Sequence, residues 1–284
     1  MASPLISTDE LDQDLRKPGL RILDASWHLD GTDARRAYEA ARIPGARFFD
    51  LDAVSKQDSP LPHMLPSPEA FAASMGALGI REGDDIVVYD AQGLFSAARA
   101  WWMLRVMGAE RVRVLDGGLL AWRAEGRLLQ TGPTTRPRPT QFHARLKPEA
   151  VVDQAQVAKA LSDPAFRVLD ARPGPRFAGC AKEPRPGLKA GHMPRAANLL
   201  FKVLLTDDGH LRPRDQLAAA FRDAGLEDDQ IALTTCGSGV TAAVLSLALA
   251  VLGRDSRLYD GSWAEWGAQG GGPVVTGDAG PQPR

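Results

Sequence analysis

Only two of the 284 residues are cysteine, Cys180 and Cys236, and only five are histidine. Two cysteines cannot build a multi-bridge disulfide framework or a cysteine zinc cluster, and the histidines show no metal-ligand spacing, so neither a metal nor another cofactor is expected. Nor does one sign of charge dominate. The 34 Lys and Arg against 35 Asp and Glu leave a net charge of -1, which excludes a broad electrostatic grip on nucleic acid or an anionic membrane. Any anion binding must be local. No apolar run is long enough to span a bilayer. The first residues lack a basic stretch leading into an apolar one, and Asp9, Glu10, Asp12 and Asp14 do not suit a transit peptide. Ser7 and Glu10 instead have the spacing of a capping box that opens a helix. With 44% hydrophobic and 24% charged residues, the expectation is a cytoplasmic globular protein.

What is present is a repeat. Arg21-Ile22-Leu23-Asp24-Ala25 returns as Arg167-Val168-Leu169-Asp170-Ala171, and Arg42-Ile43-Pro44-Gly45-Ala46 as His192-Met193-Pro194-Arg195-Ala196. Ile86-Val87-Val88-Tyr89-Asp90 returns as Ile231-Ala232-Leu233-Thr234-Thr235, and Leu115-Asp116-Gly117-Gly118 with Trp122 as Tyr259-Asp260-Gly261-Ser262 with Trp266. Matches in one order at nearly constant separation indicate a duplicated domain. Short apolar runs followed by helical patterns predict an α/β fold in both halves, each a mostly parallel sheet flanked by helices. Strands are expected near Ile22, Ile86, Val112, Val168, Ile231 and Leu258. A helix is expected at Ser67-Pro68, with Phe71, Met75 and Leu78 on one face and Gly79 at its end. Another should follow Cys236, with Val240, Val244, Leu247 and Val251 on one face. The proline-rich stretch from Thr131 to Pro148 reads as a linker. The organisation expected is a domain at 1–137, a linker at 138–150 and a second domain at 151–284.

Chemistry concentrates at Thr234-Thr235-Cys236-Gly237-Ser238-Gly239-Val240-Thr241. An apolar strand should deliver Cys236 to the carboxyl edge of the sheet, the ligand side of open α/β folds. The small residues after it let backbone N–H groups form an anion cradle ahead of a helix. A thiol there gains acidity and nucleophilicity. The other reading is a small buried cysteine at a tight turn. The first half keeps the helix but carries Ala91 at the matching position, which favours chemistry over a shared structural turn. A cysteine phosphatase would need an arginine six positions after the cysteine, where this chain has Ala242.

The repeat, the Leu169-Asp170-Ala171-Arg172 run, His192-Met193-Pro194, the cysteine loop and Tyr259-Asp260-Gly261-Ser262-Trp263-Ala264-Glu265-Trp266 together resemble the tandem-domain sulfurtransferases of the rhodanese superfamily. The loop is similar to the 3-mercaptopyruvate branch, because the thiosulfate branch carries basic residues after its cysteine. The resemblance implies that Cys236 accepts sulfur as a persulfide. It implies that Arg176 and Arg185 bind the carboxylate and keto oxygen of the donor, and that the amides from Gly237 through Gly239, Val240 and Thr241 hold the persulfide charge. It also implies that Ser238, His63 and Asp52 form a proton-transfer set. The implied partners are a small-molecule sulfur donor and a thiol acceptor such as a thioredoxin-like dithiol, with no nucleic acid and no membrane. Because His63 and Asp52 precede the linker, the resemblance implies a site between the halves. A thiosulfate sulfurtransferase and a non-enzymatic persulfide carrier remain alternatives. Two departures stand out: Arg42 where a histidine is common, and Arg195 where a glycine is expected. Cys180 has no motif around it.

Overall fold

Runs such as Ile86-Val87-Val88 are apolar on both faces, the pattern of a strand covered by helices on each side of a parallel sheet. The computed structural model describes residues 3–277, its longer strands falling on those runs and four two-residue strands lying elsewhere. The strands are β1 Leu5–Ile6, β2 Leu20–Asp24, β3 Arg47–Phe48, β4 Asp85–Tyr89 and β5 Val112–Leu115, then β6 Val151–Val152, β7 Phe166–Asp170, β8 Ala197–Asn198, β9 Ile231–Thr235 and β10 Ser256–Tyr259. The order is β1-β5-β4-β2-β3 in one sheet and β6-β10-β9-β7-β8 in the other, every pairing being parallel. Each strand of the second sheet holds the place of its counterpart in the first, so the duplication seen in the sequence is a duplication of topology.

The chain divides into two compact units. One comprises the residues up to Asp58, Leu65–Lys147 and Leu205–Leu211; the other comprises Ser59–Met64, Pro148–Leu204 and the chain from Arg212. In the first, Ile22, Val87, Tyr89, Leu115 and Trp122 share a core. Val168, Leu233, Tyr259, Trp263 and Trp266 share the corresponding core of the second. The proline-rich stretch is docked: Phe142 is buried edge-on against Phe71 at 5.6 Å, and Thr140 N–H donates to Gly76 C=O at 2.9 Å.

Local signals hold at several ends. Ser7 and Glu10 form the capping box. The helix Pro68–Ala77 starts on Ser67, whose side chain accepts from Ala70 N–H, and Gly79 follows its end at φ +68°. The helix after the cysteine loop differs from expectation. It runs Ala242–Leu252, so Val240 lies ahead of it, and its residues from Ala242 to Leu249 are all buried. It is a core helix, buried on every side from Ala242 to Leu249. Among the described residues no helix is long and apolar enough to cross a membrane.

Arg195 adopts φ +65°, where its counterpart Gly45 has φ +79°. A side chain in the left-handed region costs about 1–2 kcal/mol, and the charge of Arg195 also presses on Arg167, whose basicity is lowered first by burial. Arg195→Gly is therefore expected to raise stability by about 0.5–1 kcal/mol after the entropy of the freer unfolded chain is counted. Denaturant titration reads the effect, and a loss of stability would show that the guanidinium contacts outweigh the strain.

Candidate active site

β9 is the central strand of its sheet, hydrogen-bonded to β7 and β10, and its buried residues end at Thr235. Cys236 is the next residue, a free thiol only 3% exposed. Its backbone is fixed on both sides. Its N–H donates to Ser262 Oγ at 3.3 Å, and its C=O accepts from Trp263 N–H at 2.9 Å. Gly237 C=O accepts from Ala264 N–H at 2.9 Å. The loop then turns through Gly239 at φ +78° into the helix Ala242–Leu252. The amides of Gly237, Ser238, Gly239, Val240 and Thr241 find no acceptor among the described residues. Open donors at the mouth of an eleven-residue helix favour an anion, since the aligned peptide dipoles leave partial positive charge there.

Two guanidiniums converge on the residue after Cys236. A Cβ built on Gly237 would lie 3.2 Å from Arg176 Nη2 and 3.9 Å from Arg185 Nη1, so the residue after Cys236 has little room for a side chain. Arg176, on the short helix Gly174–Phe177, is held by Glu183: its Nε donates to Oε1 at 3.2 Å and its Nη2 to Oε2. Glu183 is itself buried and shared with Arg172, whose Nη1 donates to Oε1 at 2.9 Å. Arg172 also grips both oxygens of Asp170, donates to Gly191 C=O at 2.9 Å, and lies 4.0 Å over the Trp263 ring. Burial works against the Arg172 charge, but Asp170 and Glu183 outweigh it and leave its pKa raised. Such a fully paired buried network fixes geometry, and removing one partner would strand a charge.

Sequence reasoning missed Glu183, Arg172 and Ser262 as parts of this arrangement. The signals were a carboxylate among arginines in a proline-rich segment, and an arginine at 172 where the first half has Ser26.

His63 is 6% exposed and has φ +59°, an unusual backbone for a non-glycine residue and one met at functional positions. Its Nδ1 lies 2.9 Å from Ser238 Oγ, and Arg185 Nη2 donates to the same oxygen at 3.4 Å. The segment bearing His63 precedes the linker in sequence yet belongs to the second unit. Cys236, Ser238, His63, Arg176, Arg185 and the loop amides are thus within one unit. Asp52 lies in the first unit, exposed on the short helix Leu51–Val54, its Oδ2 accepting from Trp27 Nε1 at 3.1 Å. Cys180 is exposed.

The matching loop of the first unit is filled from within. Asp90 Oδ1 accepts from Gln92 N–H at 2.8 Å, and Oδ2 accepts from the amides of Phe95 at 2.7 Å and Ala97 at 2.8 Å. The position that is Thr235 in the second unit supplies a carboxylate here, and Ala91 replaces the thiol.

The model of the rhodanese-like domain matches residues 7–125 and again 153–269. The chain belongs to the rhodanese family. It is 44% identical over 273 residues to the 3-mercaptopyruvate sulfurtransferase of Escherichia coli K12, covering 95% of this chain and 96% of that one. The mitochondrial thiosulfate/3-mercaptopyruvate sulfurtransferase 1 of Arabidopsis thaliana is 40% identical, with 96% of this chain and 78% of that protein covered. The crystal structure of SseA from Escherichia coli, described as a 3-mercaptopyruvate sulfotransferase, superposes with a TM-score of 0.85 at 40% identity, covering 92% of this chain and 99% of the other. Enzymatic sulfur transfer and the tandem rhodanese architecture follow from these likenesses.

Proposed function

We propose that this rhodanese takes sulfur from 3-mercaptopyruvate onto Cys236 as a persulfide, releases pyruvate, and hands the sulfur to a thiol. The observation that carries the reading is the convergence of Arg176 and Arg185 on Gly237, beside a buried thiol whose loop amides are open. Two guanidiniums suit a small α-keto acid, because their planar fork grips a carboxylate in two places. With the donor so held, the Cys236 thiolate attacks its sulfur. The new S–S bond forms as the C–S bond breaks, and the electron pair leaves on carbon as pyruvate enolate. The proton lost by the donor thiol is the one the enolate carbon needs, and Ser238 with His63 is placed to carry it. The persulfide charge then rests on the amides of Gly237 through Thr241. Asp52 joins the set on the family resemblance alone.

An acceptor thiolate next attacks the outer sulfur and regenerates the Cys236 thiolate; a thioredoxin-like dithiol is the proposed acceptor. A reducing, cytoplasmic setting suits a cycle that needs free thiols. Thiosulfate is the competing donor. The loop carries no cation after Cys236, and Gly237 is crowded by Arg176, whereas a dianion that leaves as sulfite calls for additional positive charge. A cysteine phosphatase is disfavoured because Ala242, buried at the helix start, stands where an arginine is required. Steady-state rates on 3-mercaptopyruvate and thiosulfate, measured side by side, test the proposal. The expected result is a kcat/KM clearly higher for 3-mercaptopyruvate. A preference for thiosulfate overturns the donor assignment, and a persulfide without turnover on either donor indicates a carrier.

A further inference from the structure

The stretch Tyr259-Asp260-Gly261-Ser262-Trp263 runs on from the last residue of β10 and takes no part in the steps above. Its serine is fully buried and adopts φ +49°, in the left-handed region. The first unit has Gly118 at the matching position, at φ +54°. Glycine is the residue that backbone favours, so the serine is there against local preference. The surroundings explain the difference. A Cβ built on Gly118 would lie 2.5 Å from Gly93 O and 2.6 Å from Asp90 O, so in the first unit the loop lies directly on the glycine. In the second unit the hydroxymethyl group occupies that space. Ser262 Oγ donates to Tyr259 C=O at 2.9 Å and accepts from Cys236 N–H at 3.3 Å and from Thr235 Oγ1 at 3.4 Å. One proton and two lone pairs are all used, two of the three contacts being to the segment that carries the thiol.

We propose that Ser262 is a positioning residue for Cys236: its side chain props the sulfur-accepting loop off the β10 turn and fixes the cysteine backbone, at the cost of a strained φ that the thiol-free unit avoids with glycine. The inference rests on the reading of Cys236 as the sulfur acceptor. It separates positioning from fold stability, because glycine relieves the strain while removing the prop.

The test compares Ser262→Gly and Ser262→Ala with the wild type on 3-mercaptopyruvate, with kcat, KM, Tm and the amide exchange rate of Cys236 by NMR. For Ser262→Gly, kcat is expected to fall about tenfold, the size of effect that a hydrogen bond to the cysteine backbone can carry. KM should stay within about twofold, since Arg176 and Arg185 are untouched, and Tm should fall less than in Ser262→Ala, because glycine relieves the left-handed strain that alanine keeps while both lose the same buried hydrogen bonds. Cys236 N–H should exchange about tenfold faster in both variants, having lost its acceptor. Ser262→Ala should show the same fall in kcat with a lower Tm, because it keeps the strain. Wild-type kcat and exchange in Ser262→Gly would overturn the proposal, and so would a loss of kcat that tracks the loss of Tm across the two variants. Faster exchange in a protein whose wild type transfers no sulfur would instead refute the functional reading and leave the tie between Ser262 and Cys236 standing.

Discussion

Cys236→Ser is expected to abolish sulfur transfer, lowering kcat by at least about a thousandfold, while Cys180→Ser keeps most of it. A serine hydroxyl is not ionised near neutral pH and forms no persulfide, so the substitution removes the covalent step while disturbing the packing little. The two cysteines differ in everything that matters for reactivity. Cys236 lies at the carboxyl end of the central strand, ahead of a helix, with open amides and two guanidiniums beside its neighbour Gly237. Cys180 is exposed, in a turn where its amide is tied to Pro175 C=O at 2.8 Å. After treatment with donor, intact-mass analysis should show one added sulfur on the wild type and on Cys180→Ser, mapped to Cys236, and none on Cys236→Ser. Sulfur found mainly on Cys180 would sink the assignment.

The parts of this arrangement that were legible in the sequence are those written in local pattern. The longer strands announce themselves as apolar runs, and β2, β4, β5, β7, β9 and β10 all fall at the expected places. The two-residue strands β1, β3, β6 and β8 were not expected, because two residues carry no period to detect. The helix Ala242–Leu252 was legible as an apolar run with Val244, Leu247 and Val251 on one face, but its start was not, since Val240 lies ahead of it. A run that is apolar throughout lets an observer choose any face, and only the packing shows that every face is buried. Cys236 was legible for a different reason: the repeat gave an internal control in Ala91. The carboxylate of Asp90 that fills the first loop was out of reach, since nothing in Tyr89-Asp90-Ala91 says that three amides turn back onto it. His63 and Ser238 are separated by 175 positions, and no spacing rule links them; family resemblance did, and the structure adds that His63 belongs with the second unit. Glu183 stood in plain view between the arginines, but its role depends on reaching Arg172 and Arg176 together, which is tertiary information.

The pairing of His63 with Ser238 gives the second large effect, one that differs between donors. 3-Mercaptopyruvate arrives with a thiol proton and leaves as a carbanion-like enolate, so its transfer takes a proton off sulfur and puts one on oxygen or carbon of the product. Ser238 Oγ, with His63 Nδ1 at 2.9 Å and Arg185 Nη2 at 3.4 Å, is a hydroxyl whose proton can be drawn toward the ring or returned. General acid–base assistance of this kind contributes about a hundredfold or more. His63→Ala and Ser238→Ala should therefore each lower kcat on 3-mercaptopyruvate by about a hundredfold, and together by little more than either alone, because the two act as one unit. Thiosulfate brings no proton and expels sulfite already charged, so the rate on that donor should change by only a few fold in the same variants. The wild-type preference for 3-mercaptopyruvate should shrink accordingly, by about the factor lost. KM for 3-mercaptopyruvate should move little, since on the proposed reading the carboxylate is held by Arg176 and Arg185, which both variants keep. Steady-state kinetics on both donors with the wild type, the two single variants and the double variant provide the measurement. Equal losses on the two donors would show that His63 and Ser238 shape the loop rather than move the proton, and fully additive losses would show that they do not share one step.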